Sequence, residues 1–233
     1  MDALKRIVVA LDVSSYKDAL LLVEQLGTDV MYKVGLELIC AGYGADVVRY
    51  LKKAGIPVFY DAKFADIPTT MGKAARNIAH QGVDMFSVHA SSGAESIRAA
   101  QESSGDSLVL AVTALSYFDE ATAKRIFGTG NACSTIKLAR EAHEGGADGI
   151  ICSPRELASV NRNGEFSWKA IVGVGIRPEW APPDEQVRSE TPTEAIMSGA
   201  THLVIGRPIT NPPTGMLPID ALNLLAEEVE KAL

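Results

Sequence analysis

Cysteine is scarce in this sequence. Cys40, Cys133 and Cys152 lie far apart in 233 residues, with no Cys-x-x-Cys spacing. That argues against a disulfide framework or a cysteine zinc site and fits a reducing compartment. Long apolar runs are missing too. The opening stretch "MDALKRIVVALDVSS" enters a short apolar run that ends at Asp12. It is too short for a secretory signal, and nothing later approaches a membrane span. Positive charge is in deficit: 22 Lys and Arg against 29 Asp and Glu leave a net charge of -7 and a pI near 5.2. A general nucleic-acid or acidic-membrane binder is thereby disfavoured, and an anionic ligand needs a local basic site. Low-complexity tracts are absent. So is a glycine-rich fingerprint after the first apolar run, where "LDVSSYKD" stands instead. An open dinucleotide-binding sheet would want one. What these absences leave is a cytoplasmic enzyme without nucleic-acid or membrane partners.

What is present is a rhythm. Eight short apolar runs recur: "RIVVALD", "VMYKVG", "VFYDAK", "MFSVHA", "LVLAVTA", "GIICSP", "AIVGVG" and "HLVIGR". They are continuous rather than alternating, as expected of parallel strands covered on both faces. Amphipathic segments lie between them and end at Gly27, Gly55, Gly82, the Gly145–Gly146 pair and Gly199, where left-handed C-caps fall. "PIDALNLLAEEVEKAL" forms a last helix with Pro218 near its start. Eight strands alternating with helices, with no linker, predict a single (β/α)8 TIM barrel of α/β class spanning 1–233.

Active sites of that fold collect at the C-terminal ends of the strands. Those ends carry Asp12, Lys33, Asp61 and Lys63, with Asp66 in the next loop, then His89, Ser116, Ser153, Arg177, Gly206 and Arg207. The charged residues of the apolar runs therefore gather where catalysis belongs. Asp61 and Lys63 are two positions apart and leave a regular strand on one face. With Asp12 and Lys33 from neighbouring strands they predict an alternating network, in which each lysine sits among carboxylates and serves as a positioned proton donor. The competing reading is a structural ion-pair plug at the end of the barrel. At the eighth strand, Gly206 and Arg207 suit a phosphate cradle, by close backbone approach and a bidentate grip.

The segments "VALDV", "YKVG", "FYDAKFADIPTT", "SVHAS", "AVTALS", "GIICSP", "GIRP", "DEQVRSETP" and "VIGRPIT" stand in an order and spacing that resembles the orotidine 5'-monophosphate decarboxylase family. The resemblance covers essentially the whole chain. It implies that Lys63 donates a proton to C6 of the pyrimidine and that Asp61 lies against the substrate carboxylate. Lys33 and Asp12 complete the network and hold ribose hydroxyls. Ser116 contacts the pyrimidine amide and Gln186 belongs to a mobile phosphate-side loop. Arg177, Gly206 and Arg207 form the phosphate end. Asp66, with Ile67 and Thr70, reaches into the site of a second subunit, so a homodimer is implied. No cofactor and no metal is expected. The chain departs from the family pattern at Ala65 and Thr69, where His and Asn are usual, and at Val174, where Pro is usual.

Two alternatives stand beside this reading. One is a Mg2+-dependent phosphosugar decarboxylase or aldolase that uses the same carboxylates. The other is a catalytically silent nucleotide-binding barrel. His89 is read as structural, because neither the chemistry nor the resemblance gives it a task.

Overall fold

A computed structural model describes residues 3–161, 164–182 and 189–233. Eight strands form where the apolar runs lie: β1 (Ile7–Ala10), β2 (Met31–Gly35), β3 (Val58–Phe64), β4 (Met85–His89), β5 (Leu108–Val112), β6 (Gly149–Cys152), β7 (Ala170–Gly173) and β8 (His202–Ile205). All pair in parallel in chain order, and β8 closes on β1 through Ile7–Leu203, Val8–Val204 and Val9–Ile205. The barrel expected from the sequence is therefore present.

Strand alternation builds two cores. Val8, Phe59, Met85, Leu110, Val112, Ile151, Ala170 and Val172 pack inside the barrel. Their sequence neighbours, such as Ile7, Val9, Tyr32, Val34, Val58 and Phe86, pack outward beneath the helices. Both faces are dry, which is why these strands read as unbroken apolar runs. Helices Tyr16–Leu26, Gly44–Lys53, Pro68–Ala79, Asn131–Glu144, Pro192–Met197 and Pro218–Lys231 occupy the predicted amphipathic segments.

Helices Ala94–Gln101, Glu120–Phe127 and Pro154–Asn161 are additions to that expectation. Their buried faces are small or mixed. Ser96, Ile97 and Ala100 cover the first, Ala123 the second, and Pro154, Glu156, Leu157 and Val160 the third. Each spans 8 residues, about two turns, too few for an apolar stripe to repeat clearly. The Gly145–Gly146 pair divides its work. Gly146 takes φ +75°, while Gly145 stays right-handed, and a Cβ there would stand 2.6 Å from Ile97 Cβ.

One strand breaks its pleat. Between Tyr60 and Phe64 the β3–β4 register shifts: Tyr60 pairs with Phe86, but Phe64 pairs with Val88. Four steps along β3 thus match two along β4. Lys63 has φ +52°, the only non-glycine residue with positive φ among the described residues. Bulges of this kind re-aim side chains beside active sites.

Candidate active site

The inward layer of the barrel changes character toward the strand ends. Met31, Phe59 and Met85 are followed, two residues on and on the same inward face, by Lys33, Asp61 and Ser87. Three consecutive strands thus raise a cation, an anion and a hydroxyl above an apolar floor. The cavity over that floor has a volume of about 670 Å³. Phe59, Val112, Ile151 and Val204 line it below, and Asp12, Lys33, Asp61 and Lys63 bring the charge.

Asp61 is the hub. Its side chain is 8% exposed, and its Oδ2 lies 2.7 Å from Lys63 Nζ and 3.6 Å from Lys33 Nζ. Lys33 Nζ also donates to Asp12 Oδ1 at 2.9 Å. The row reads Asp12, Lys33, Asp61, Lys63, with alternating sign. Burial pushes the Asp61 carboxyl up, but Lys33, Lys63 and the hydrogen bonds from Lys63 and Ser87 outweigh it, so it sits below the usual carboxylate range. A buried charge with such partners is compensated rather than stranded.

Alternation was expected to put Asp61 and Lys63 on one face. They do meet, but Lys63 lies in the left-handed turn of the bulge, so the contact is made by an irregular backbone. Ser87 supports that turn. Its Oγ accepts the Lys63 N–H at 2.8 Å and donates to Asp61 Oδ1 at 2.8 Å. Sequence reasoning missed Ser87. The available signal was a polar residue at an inward position of "MFSVHA". Gly35 was missed as well. A Cβ there would lie 2.6 Å from Lys33 Nζ and 3.2 Å from Asp12 Oδ1, so the glycine leaves the room that the ammonium fills.

The other expected residues divide into two groups. Ser116, Arg177, Gly206 and Arg207 line the same cavity. Arg177 lies half-buried, its Nε donating to the Pro182 carbonyl at 2.6 Å and its backbone N–H to the Glu190 carbonyl at 2.8 Å. Gly206 opens the short turn Arg207–Thr210, and a Cβ there would meet only ordinary contacts at 3.6 Å. Packing alone therefore does not require a glycine there. Val174 also lines the cavity. Gln186 lies outside the described residues.

Asp66, Ile67 and Thr70 do not line it. Residues 65–70 are all exposed, and Ile67 is 66% exposed despite its apolar side chain. The Asp66 carboxylate accepts the neighbouring Ile67 N–H at 2.7 Å, while the Ser96 hydroxyl donates to the Asp66 carbonyl at 2.9 Å. With Ser92, Gly93 and Glu141, Asp66 and Ile67 border a separate shallow groove. His89 ends β4 half-buried, its Nδ1 2.9 Å from Ser91 Oγ. Burial and then the Lys63 charge hold its imidazole below the ordinary 6.5.

Comparison with known proteins meets this geometry from outside. The model of the orotidine 5'-phosphate decarboxylase / HUMPS family matches residues 5–214. Orotidine 5'-phosphate decarboxylase from Heliobacterium modesticaldum is 36% identical over 247 aligned positions, covering 100% of this chain and 99% of that protein. The enzyme of the same name from Alkalilimnicola ehrlichii is 39% identical, with 96% of each chain covered. The crystal structure of orotidine 5'-phosphate decarboxylase from Lactobacillus acidophilus superposes with a TM-score of 0.82 at 31% identity, covering 97% of this chain and 99% of that one. An alternating charged row at the mouth of a closed parallel barrel and full-length similarity lead to one conclusion: this chain belongs to the orotidine 5'-phosphate decarboxylase / HUMPS family.

Proposed function

We propose that this chain converts orotidine 5'-monophosphate to uridine 5'-monophosphate and CO2 in de novo pyrimidine biosynthesis, without a cofactor, with residues 1–233 acting as one cytoplasmic catalytic domain. The observation that carries the reading is the Asp12–Lys33–Asp61–Lys63 row above an apolar floor. Loss of CO2 from C6 leaves an electron pair in the plane of the ring, where the π system cannot spread it. The catalyst must then stabilise that charge with preorganised positive groups. In this reading the Lys63 ammonium faces C6, stabilises the carbanion as it forms and then gives it a proton. Asp61, held between Lys33 and Lys63, faces the departing carboxylate and disfavours its charge until neutral CO2 leaves.

The remaining residues bind and hold. The floor of Phe59, Val112, Ile151 and Val204 takes the flat ring and excludes water, and the Ser116 hydroxyl meets its amide edge. Asp12 and Lys33 hold ribose hydroxyls. Arg177, Gly206 and Arg207, with Gln186, take the phosphate, whose remote binding energy keeps the reacting end in place. The exposed segment 65–70 supports a homodimer in which Asp66, Ile67 and Thr70 complete the partner's site. An apolar Ile67 in open water is what such an interface would cover.

A magnesium-dependent reaction of a phosphosugar is the second reading. It is weakened by the Lys33 ammonium, which stands between Asp12 and Asp61 where a bridging divalent cation would sit. One assay separates them. Purified protein is mixed with orotidine 5'-monophosphate in excess EDTA, and loss of the orotate absorbance is followed. Turnover is expected at full rate. Absence of turnover, or turnover restored only by added Mg2+, overturns the proposal.

A further inference from the structure

We infer that Ser87, a residue that does not line the cavity, is the positioning residue that holds Asp61 and Lys63 in register for the decarboxylation proposed above. The inference rests on that reading for its kinetic test, but its geometry stands independently. Ser87 is fully buried on β4, 0% exposed, and is not among the residues lining the cavity. It makes two hydrogen bonds, and chemistry settles their direction. The Lys63 backbone N–H can only donate, so Ser87 Oγ accepts it. The hydroxyl proton is then committed to Asp61 Oδ1, which as a carboxylate only accepts. The position of Asp61 below the usual carboxylate range agrees with that assignment. Accepting one bond strengthens the donation of the next, so the chain from Lys63 N–H through Ser87 to Asp61 is cooperative.

The consequence is geometric. The bulge takes the Lys63 N–H out of the β3–β4 ladder, and an unpaired buried N–H is strongly disfavoured. Ser87 supplies the missing acceptor and so holds the left-handed turn at φ +52°. With the same hydroxyl it ties down Oδ1 of Asp61, which leaves Oδ2 turned toward both lysines, at 2.7 and 3.6 Å. One atom thus sets the backbone of the proton donor and the orientation of the carboxylate beside it. Neither neighbour on β4 can substitute, because Phe86 and Val88 face outward into the helix layer.

The test compares Ser87→Ala, Ser87→Cys and Ser87→Thr with the wild-type enzyme. A misplacement of about 1 Å at a reacting group costs on the order of 100-fold, so kcat of Ser87→Ala and Ser87→Cys is expected to fall roughly 10- to 100-fold. KM and inhibition by uridine 5'-monophosphate should stay within about threefold, because the binding groups are untouched. Ser87→Thr keeps the hydroxyl and should recover most of kcat. A Ser87→Ala kcat within about twofold of wild type overturns the inference, as does a loss shared equally by kcat and inhibitor affinity. If Ser87→Ala does not fold, the nearly isosteric Ser87→Cys carries the same test. Absence of turnover in the wild type would strike the proposed function instead. A crystal structure of Ser87→Ala still decides the geometry, with Lys63 expected to leave positive φ and its Nζ to separate from Asp61. Unchanged positions for both side chains overturn it.

Discussion

Lys63 Nζ stands 2.7 Å from Asp61 Oδ2 although the strand that carries both has left its regular pleat. The contact is made by a left-handed residue at position 63 and is shared with Lys33, which reaches the same oxygen from the neighbouring strand. A buried carboxylate, two cations and a non-glycine residue in a costly conformation are thus assembled at one point. Backbone strain of this kind persists where the surrounding structure over-determines it.

Lys63→Ala removes the proposed proton donor. Positioned acid catalysis and electrostatic stabilisation each contribute roughly 100- to 1000-fold, so steady-state turnover should drop by about 1000-fold or more. The variant should remain folded, because Lys33 and Ser87 still hold Asp61. The same substitution has a second readout. His89 is held low first by burial and then by the Lys63 charge. Its NMR titration midpoint should therefore rise in Lys63→Ala yet stay below 6.5, since burial remains.

The pH dependence of stability should carry a signature of Asp61. Its folded value lies below the ordinary 3.8, so its stabilising contribution is fully present above about pH 4 and is lost as pH falls through the depressed folded value. Urea titrations carried from pH 7 into the acid range below about pH 4 should show the loss begin there, and Asp61→Asn should flatten it. Equal slopes in the two proteins would assign the acid sensitivity elsewhere.

Gly35→Ala is expected to separate folding from activity. The added Cβ would stand 2.6 Å from Lys33 Nζ, but that nitrogen ends a flexible side chain and can swing away. The melting temperature should change little. Displacing the ammonium from Asp12 and Asp61 should lower kcat/KM by roughly 10- to 100-fold. Activity equal to wild type would show that Lys33 keeps its place.

Arg207→Ala tests the phosphate end. Charge-assisted bidentate bonds contribute about 1.5–3 kcal/mol each, so KM should rise roughly 10- to 100-fold in steady-state assays. With substrate saturating, kcat should fall less. A kcat loss larger than the KM rise would move Arg207 into the chemistry.

Subunit exchange examines Asp66. If it serves the partner's site, a heterodimer of Asp66→Asn and Lys63→Ala has one site with both defects and one with neither. Random equal mixing of a two-fold dimer should then recover about a quarter of wild-type activity. No recovery after verified exchange counts against action across the interface.

The legibility of this protein follows from its layers. Strands such as Ile7–Ala10 and Gly149–Cys152 are dry on both faces, so each appears as a short unbroken apolar run. Helix Ala94–Gln101 escaped notice because its 8 residues, about two turns, are too few for the apolar period to repeat clearly. Asp61 and Lys63 stood out because charge at the end of a core strand demands a reason. Gly35 at the end of β2 and Ser87 in the middle of β4 carry no charge, so neither gave so strong a warning.

From the sequence alone came the barrel, the strand ends that carry charge and the residue types able to move a proton. All of these depend on periodicity and polarity, which are properties of neighbours along the chain. Tertiary structure alone decided which partners meet. The bulge at Lys63, the shared grip on Asp61 and the support from Ser87 depend on the pairing of β3 with β4. That register joins positions 26 residues apart, through space rather than along the chain.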